Sequence, residues 1–351
     1  MVIVEAPTRS AREVLSWSRA EFDPALRIAV ETLPASTRRV AEYHFGMRDA
    51  DGKRGDATAG KAVRPALTLL TASALGAARG AAVPAAVAVE LVHNFSLLHD
   101  DVMDGDLTRR HRATAWAVFG ANAAILAGDA LLTLAFDVLG EEAQPVRTAH
   151  RPAARVLRAC VHRLLDGQSA DLEFEERDRV EVTEGIRMSE SKTGALLGCA
   201  CAMGALYGDA AAGGDLSDVA RLRTFGEKVG LAFQYVDDLL GIWGDPAVTG
   251  KPVHSDLANR KKSLPVVRAL ADGGPAASAL SALYHRPGPL STVELTEAAT
   301  LVEATGARAW CREQADRLLA EALVELPASR VTARGAAELT AMAEALTRRD
   351  R

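Results

Sequence analysis

Aromatic residues are scarce in this sequence: Phe, Trp and Tyr make up 5% of its 351 positions. Strands draw on aromatic and β-branched side chains, so this shortage, set beside abundant Ala, Leu, Glu and Arg, argues against a sheet-rich fold and for helices. Cysteine is rare too. The four thiols (Cys160, Cys199, Cys201, Cys311) lack zinc-finger spacing, and Cys199 and Cys201, two apart, would point to different faces of a helix. They read as buried, reduced residues of a cytoplasmic protein, which excludes a disulfide framework. Positive charge is not in excess, because 41 Lys and Arg face 46 Asp and Glu for a net charge of −5. No global basic field therefore invites nucleic acid. Long apolar runs are missing as well. No uncharged stretch exceeds 16 residues, Thr193–Gly208 being one, whereas a membrane span needs about 20. The opening MVIVEAPTRSAREVLSW shows no charged, apolar and cleavage regions in series, so no secretory signal is read.

What is present is helical periodicity. Apolar residues recur at helical spacing over Ala81–Leu98, Ala121–Leu139, Arg151–Leu172, Ile186–Leu206, Val219–Leu240 and Thr292–Leu326. Breakers fall between these stretches, at residues 208–215, 244–246, 273–275 and 286–289. No strand alternation persists and no linker of disordered composition interrupts the chain. The expectation is an all-α fold, one helical bundle with a central cavity over 1–351, with 1–10, Asp49–Thr58 and the last few residues loose.

Two acidic clusters stand out, HDDVMDGD at His99–Asp106 and YVDDLLGIWGD at Tyr235–Asp245. Asp100 and Asp104 are four apart and Asp101 and Asp104 three apart, so a helix would crowd all three on one face. Like charges at that spacing repel, and a cation is expected to hold them. Oxygen-rich ligation suits Mg²⁺, which shares carboxylates with substrate phosphates. Two such faces meeting across a cleft would make a multi-metal diphosphate site. A DxxxD alone is more often a solvated acidic face. Here an apolar helix precedes it and Arg109-Arg110-His111-Arg112 follows, as a metal–diphosphate complex requires. Further cations lie at Gly60-Lys61-Ala62-Val63-Arg64-Pro65, where Lys61 and Arg64 would share a face of a helix starting nearby, and at Gly250-Lys251-Pro252 and Arg260-Lys261-Lys262-Ser263-Leu264-Pro265. Lys192-Thr193 opens an apolar helix, where a buried cation needs a partner.

In order and spacing, over roughly residues 55–270, these pieces resemble the trans-isoprenyl diphosphate synthases, the polyprenyl synthetase family. The match comprises GK-x-x-RP, the upstream His93, DD-x-x-D with its Arg pair, Gly167-Gln168-x-x-Asp171, Lys192-Thr193, Phe233-Gln234-x-x-Asp237-Asp238, Gly244-Asp245, Gly250-Lys251 and Lys-x-Ser-Leu-Pro. The resemblance implies a prenyltransferase that joins isopentenyl diphosphate to an allylic diphosphate by ionisation, condensation and elimination. It implies three Mg²⁺ between the clusters, Asp100 and Asp104 bridging two and Asp237 serving the third, with Asp101, Asp238 and Asp256 orienting ligands or metal-bound water. Arg109, Lys192, Lys251 and Lys261 would hold the allylic diphosphate; Lys61, Arg64, His93 and Arg110 would hold isopentenyl diphosphate without metal. Thr193 and Gln234 would stabilise the transient cation. His99 is expected to support its neighbours rather than act as a base. A homodimer is usual in the family.

One departure matters. Gly241 removes the third carboxylate of the second cluster, and tolerance is the favoured reading over weakened binding of the third metal, because Asp237 carries the direct contact and Asp245 lies further along the helix face. His111 also stands where many relatives carry Gly, which is expected to reshape a loop. For product length, Ser96 and Phe95 occupy the positions four and five before the first cluster. A small residue above an aromatic resembles the geranylgeranyl diphosphate (C20) synthases, with farnesyl (C15) and longer products as alternatives; Ala124 or Leu131 could also form the tunnel floor. Two other classes compete. A class I terpene cyclase needs N-D-x-x-S-x-x-x-E, and Asn259 with Ser263 ends in Val267 instead. A non-catalytic partner subunit has only Gly241 in its favour.

Overall fold

The computed structural model describes residues 7–55, 60–140, 147–212, 216–246 and 252–348. Helices account for nearly all the regular structure. In chain order they are α1 (Ala11–Glu31), α2 (Ala35–His44), α3 (Val63–Ala74), α4 (Val83–Met103), α5 (Ala115–Phe119), α6 (Ala121–Gly140), α7 (Arg147–Glu176), α8 (Val182–Ser189) and α9 (Ala195–Ala212). There follow α10 (Ser217–Trp243), α11 (Ser255–Ala258), α12 (Leu264–Leu270), α13 (Pro275–His285), α14 (Thr292–Ala304), α15 (Ala307–Leu323) and α16 (Ala333–Thr347). A π-helical turn, Glu190–Gly194, joins α8 to α9. Among the described residues the strands are β1 (Thr108–Arg109) and β2 (Arg112–Ala113), an antiparallel hairpin.

Several boundaries differ from expectation. The Thr292–Leu326 pattern is two helices, because Gly306 adopts a left-handed φ of 75°. The apolar helix preceding the first acidic cluster runs on through Met103, so the cluster is its last turn. Helix α9 passes through Gly208 and ends only at Ala212. Of the segments expected to be loose, residues 1–6 and 349–351 lie outside the described residues, and the described parts of the other two are held. Arg9 bonds Glu338 through its main-chain N–H and its guanidinium, and Ser10 caps α1 reciprocally with Glu13. Residues 48–54 form a turn closed by Asp49 N to Lys53 O at 2.9 Å and Lys53 N to Asp49 Oδ1 at 2.8 Å; residues 56–59 lie outside the described chain.

The chain divides into two compact units, Met1–Ala159 with Cys199–Arg223 and Leu326–Met342, and Cys160–Gly198 with Thr224–Glu325 and Ala343–Arg351. Four boundaries fall inside α7, α9, α10 and α16, and the fifth lies between α15 and α16.

In the first unit α4 is the central helix, with α1, α3 and α6 packed on it. Its sequence is apolar almost all round from Val83 to Leu98, as a fully enclosed helix requires. Leu91, Val92 and Leu98 are fully buried, each contributing about 1.5–3 kcal/mol. That burial fixes the direction of the helix and hence the position of the acids at its end. Helix α6 is long and apolar enough to cross a membrane by length and composition, which no uncharged stretch in the sequence suggested. One face of it packs on α4 through Ala124, Ala127, Gly128 and Leu131, all buried.

In the second unit the short helix α12 occupies the centre, with α8, α13, α14 and α15 against it. Tyr235, Val236 and Leu239 of α10 share a core with Leu264, Cys311 and Leu318. This packing leaves Asp237 exposed and buries Asp238 beside Leu264.

Candidate active site

The first acidic cluster ends α4. Asp100 and Asp101 lie in its last turn and Asp104 is its C-cap, with no basic residue in that turn. A helix C-terminus already carries partial negative charge, so three carboxylates there are unfavourable without a cation. Asp101 is 1% exposed, and Arg109 Nε donates to its Oδ1 at 2.6 Å, while Oδ2 is buried without a hydrogen-bond partner among the described residues. Burial raises its pKa, with Arg109 pulling the other way. Asp101 thus anchors Arg109, and Asp100 and Asp104 remain partly exposed.

Arg109 and Arg110 are carried by the hairpin. Arg110 (φ 52°) and His111 (φ 61°) form its turn in the left-handed region, the conformation a two-residue type I′ turn demands. Glycine takes that conformation without a Cβ penalty, so a side chain at 111 carries strain. Arg110 reaches back to Gly60: a Cβ there would overlap its guanidinium, with Nη1 at 2.7 Å. The Gly60 carbonyl also accepts from Arg19. Lys61 precedes α3, and Ala62 between them is left-handed, so Lys61 and Arg64 do not share a helical face as expected.

Arg64 Nη1 lies 3.2 Å from His93 Nε2. Arginine only donates, so that ring nitrogen accepts and His93 is neutral. Burial, then Arg64, Arg110 and Arg109, holds its pKa well below the usual value. Beneath them lies a chain that inspection of motifs missed. His44 Nε2 donates to Asn94 Oδ1 (3.0 Å), and Asn94 Nδ2 donates to Glu90 O (2.8 Å) and Oε1 (3.2 Å). Burial and the neighbouring arginines depress His44 to about 3. Burial pushes Glu90 up, against the pull of Arg64. The available signal was Glu90 itself, an acid inside an otherwise apolar helix, 4% exposed.

His99 lies edge-on to Phe95 with ring centroids 4.8 Å apart, and its Nε2 donates to Ile125 O at 3.0 Å. Gly128 makes room for the ring, since a Cβ there would overlap it. Phe95 is 3% exposed, and Ser96 Oγ donates to His93 O at 2.8 Å.

The second cluster lies on α10. Thr193 Oγ1 donates to Gln234 Oε1 (2.6 Å), Gln234 Nε2 donates to Asp238 Oδ1 (2.6 Å), and Leu264 N donates to Asp238 Oδ2 (2.8 Å). Both oxygens of Asp238 are therefore engaged inside the protein. Burial, then the charge of Asp256, raises it to about 8, against the Leu264 and Gln234 hydrogen bonds. Asp237 beside it is exposed. Lys192 lies in the π-turn and its Nζ bonds Asp171 Oδ2 at 2.5 Å, the partner its position called for. Gly167, one turn before Asp171 on α7, lets the π-turn approach; a Cβ there would stand 2.5 Å from Lys192 N. Lys261 donates its main-chain N–H to Asp256 O. Lys251 lies outside the described residues.

The donor chemistry fits magnesium: oxygen ligands only, at a helix C-terminus, with one buried carboxylate oxygen unpartnered. Among the described residues no three such side chains form a ready-made cage.

Comparison with known proteins agrees. The polyprenyl synthetase family model matches residues 56–301. A geranylgeranyl diphosphate synthase of Mycobacterium tuberculosis is 43% identical over 324 residues, 92% of this chain and 90% of that protein. A (2E,6E)-farnesyl diphosphate synthase of the same species is 43% identical over 339 residues, 96% of this chain and 92% of that protein. Among solved structures, a polyprenyl synthetase from Streptomyces coelicolor superposes with a TM-score of 0.90 at 46% identity, covering 96% of this chain and 99% of that one. A geranylgeranyl pyrophosphate synthase from Corynebacterium glutamicum, complexed with isoprenyl diphosphate and magnesium, gives 0.76 at 25% identity, covering 97% and 98%. With the helical fold, the acid-ended α4 and the paired arginines in place, the chain belongs to the polyprenyl synthetase family and is a trans-prenyltransferase.

Proposed function

We propose that the chain condenses isopentenyl diphosphate with an allylic diphosphate to give chiefly geranylgeranyl diphosphate, and that Asp100, Asp104 and Asp237 hold three magnesium ions on the allylic diphosphate. The observation that carries this reading is the end of α4, where three carboxylates meet a negative helix terminus with no basic residue in the turn. Bound there, magnesium supplies the positive charge that stabilises the departing diphosphate. Arg109, oriented by Asp101, grips the same group with the rest of its guanidinium. Lys192, Lys251 and Lys261 add to that grip. Arg64, neutral His93, Lys61 and Arg110 position isopentenyl diphosphate, which must stay attached and needs no metal. Proximity then supplies much of the acceleration.

Thr193 donates a hydrogen bond to Gln234 Oε1, so its oxygen keeps lone pairs for the transient cation. The final proton leaves with the released diphosphate. His99 is not the base in this reading, because its Nε2 proton is committed to Ile125 O.

The buried Phe95 below the small Ser96 supports C20 as the main product. Farnesyl diphosphate is the second reading, since both mycobacterial relatives are 43% identical. Exposed Ile125 and Leu126 on α6, with Val118 on α5, are apolar surface that a homodimer would cover. Four free, buried cysteines suit the cytoplasm. Incubating the purified chain with isopentenyl diphosphate, magnesium and each of the C5, C10 and C15 primers, then sizing the products, tests the reading. Consumption of a primer without isopentenyl diphosphate would overturn it in favour of a cyclase, and sedimentation as a monomer would remove the dimer.

A further inference from the structure

Glu90 is an acid that no motif accounts for, and its surroundings are cationic. It lies on α4 with His93 and Asn94, three and four positions on, so the three share one helical face. Arg64 of α3 donates from Nη1 to His93 Nε2 on that face. Burial raises the pKa of Glu90, opposed first by Arg64, then by the Asn94 hydrogen bond, then by Arg110 and Arg19. Burial in turn lowers the pKa of Arg110, and of the charges opposing that Glu90 comes ahead of Asp101. Asp101 is already committed to Arg109 at 2.6 Å, which makes Glu90 the main counter-charge of Arg110 among the described residues. Arg19, on α1, pairs with Asp23 at 3.4 Å and donates to the carbonyl of Gly60, the residue against which Arg110 rests. Only one oxygen of Glu90 is engaged. Oε1 accepts from Asn94 Nδ2 at 3.2 Å, and Asn94 is itself held by His44 Nε2 at 3.0 Å. Oε2 is buried without a hydrogen-bond partner among the described residues. A buried carboxylate left half-satisfied is unfavourable for folding, so stability does not account for it.

We propose that Glu90 is a positioning residue for isopentenyl diphosphate: anchored by Asn94, its carboxylate sets the aim of Arg64 and Arg110 and thereby fixes where the metal-free diphosphate binds. It touches no substrate itself. Arg19, Arg64, Arg109 and Arg110 would repel one another without fixed anions among them. Direct repulsion between Glu90 and the diphosphate is the smaller effect, because the guanidiniums cancel much of the acid's field, whereas a bidentate grip on phosphate depends on how each guanidinium is turned. The diphosphate held here is not cleaved. Loss of aim therefore appears in KM for isopentenyl diphosphate, with kcat little changed. This rests on the proposed function, in which Arg64, His93 and Arg110 take that substrate.

The test is steady-state kinetics of the full chain with isopentenyl diphosphate and farnesyl diphosphate, each varied in turn, with a thermal melt of every variant. If the wild-type chain consumes no isopentenyl diphosphate, the proposed function itself fails. Given turnover by the wild type, Glu90→Gln, nearly isosteric and still able to accept from Asn94, is expected to raise KM for isopentenyl diphosphate about 10- to 100-fold, the effect a small misplacement brings. KM for farnesyl diphosphate and kcat are expected to change little. Glu90→Asp keeps the charge on a shorter stem and should fall between Glu90→Gln and the wild type. If Glu90→Gln does not fold, Asn94→Ala takes its place: the acid stays, its anchor goes, and the same KM should rise alone. A wild-type or lower KM for isopentenyl diphosphate in the variant measured, or an equal rise for both substrates, would overturn the inference while leaving the proposed function standing. So would a lowered melting temperature with unchanged constants, or a folded Glu90→Asp no better than Glu90→Gln.

Discussion

Replacing Phe95 with alanine separates a tunnel floor from an ordinary core residue. Phe95 lies five residues before Asp100 on α4, about 7.5 Å along the axis. It is 3% exposed and packs edge-on against His99 at 4.8 Å. Truncating a buried phenylalanine costs about 3–5 kcal/mol, of which the aromatic pair accounts for about 0.5–1.5 kcal/mol. Both readings therefore expect a lower melting temperature without substrate. They part company when product is present. If Phe95 ends the tunnel, the vacated space is open to the growing chain, which fills it, so the main product lengthens beyond C20 and the longer diphosphate recovers part of the lost stability. The assay is chromatographic sizing of dephosphorylated products with isopentenyl diphosphate in excess, paired with melts in the presence of C20 and C25 diphosphates. A destabilised enzyme with an unchanged product distribution would refute the assignment and move the floor to Ala124 or Leu131. The converse variant, Ser96→Phe, narrows the passage one residue nearer the acids and should shorten the product towards C15.

Asp100→Ala and Asp104→Ala should each lose turnover by several orders of magnitude, measured in saturating magnesium; near-normal rates would remove them as metal ligands. His111→Gly should stabilise the chain slightly. A left-handed φ costs a side-chain residue about 1–2 kcal/mol, against about 0.5–1 kcal/mol of extra unfolded-state entropy for glycine. A gain of up to about 1 kcal/mol in denaturant melts is expected, and a clear loss would show that His111 makes a contact worth more than its strain. Burial alone would push Glu338 up, but hydrogen bonds from Arg9 and Arg334 hold it at about 2, below its ordinary 4.5. A depressed acid contributes stability above its unfolded pKa, and loses it as pH falls from about 4.5 through about 2. Glu338→Gln should therefore cost up to about 3 kcal/mol near neutrality, with the deficit vanishing towards pH 2. A deficit independent of pH would place the effect in packing.

Much of the site was legible because its chemistry is written locally. The helix leading to His99–Asp106 and the arginine pair after it are contiguous in sequence, and the resemblance to the family implies their roles. What stayed hidden depends on contacts between distant residues. The resemblance assigns Asp256 to the metal site, but its close approach to Gly241, 15 positions away, shows only in the packed turn. The spacing of three positions from Lys61 to Arg64 suggests one helical face, yet Ala62 turns left-handed first and breaks the register. Gly306 sits inside an apolar rhythm that tolerates a glycine, so the rhythm hid the break between α14 and α15. Glu90 belongs to no motif and is meaningful only once α4 is known to be enclosed.

The π-turn at Glu190–Gly194 amounts to one surplus residue wound into an otherwise continuous rod. Excising a single residue there would let the rod relax to ordinary pitch. Everything upstream would then swing about 100° around the axis relative to everything downstream, and Lys192 and Thr193 could no longer both meet Asp171 and Gln234. The lysine and the threonine owe their simultaneous aim to an irregularity. Shortening at this point would be far more damaging than most point changes, although no functional side chain need be removed.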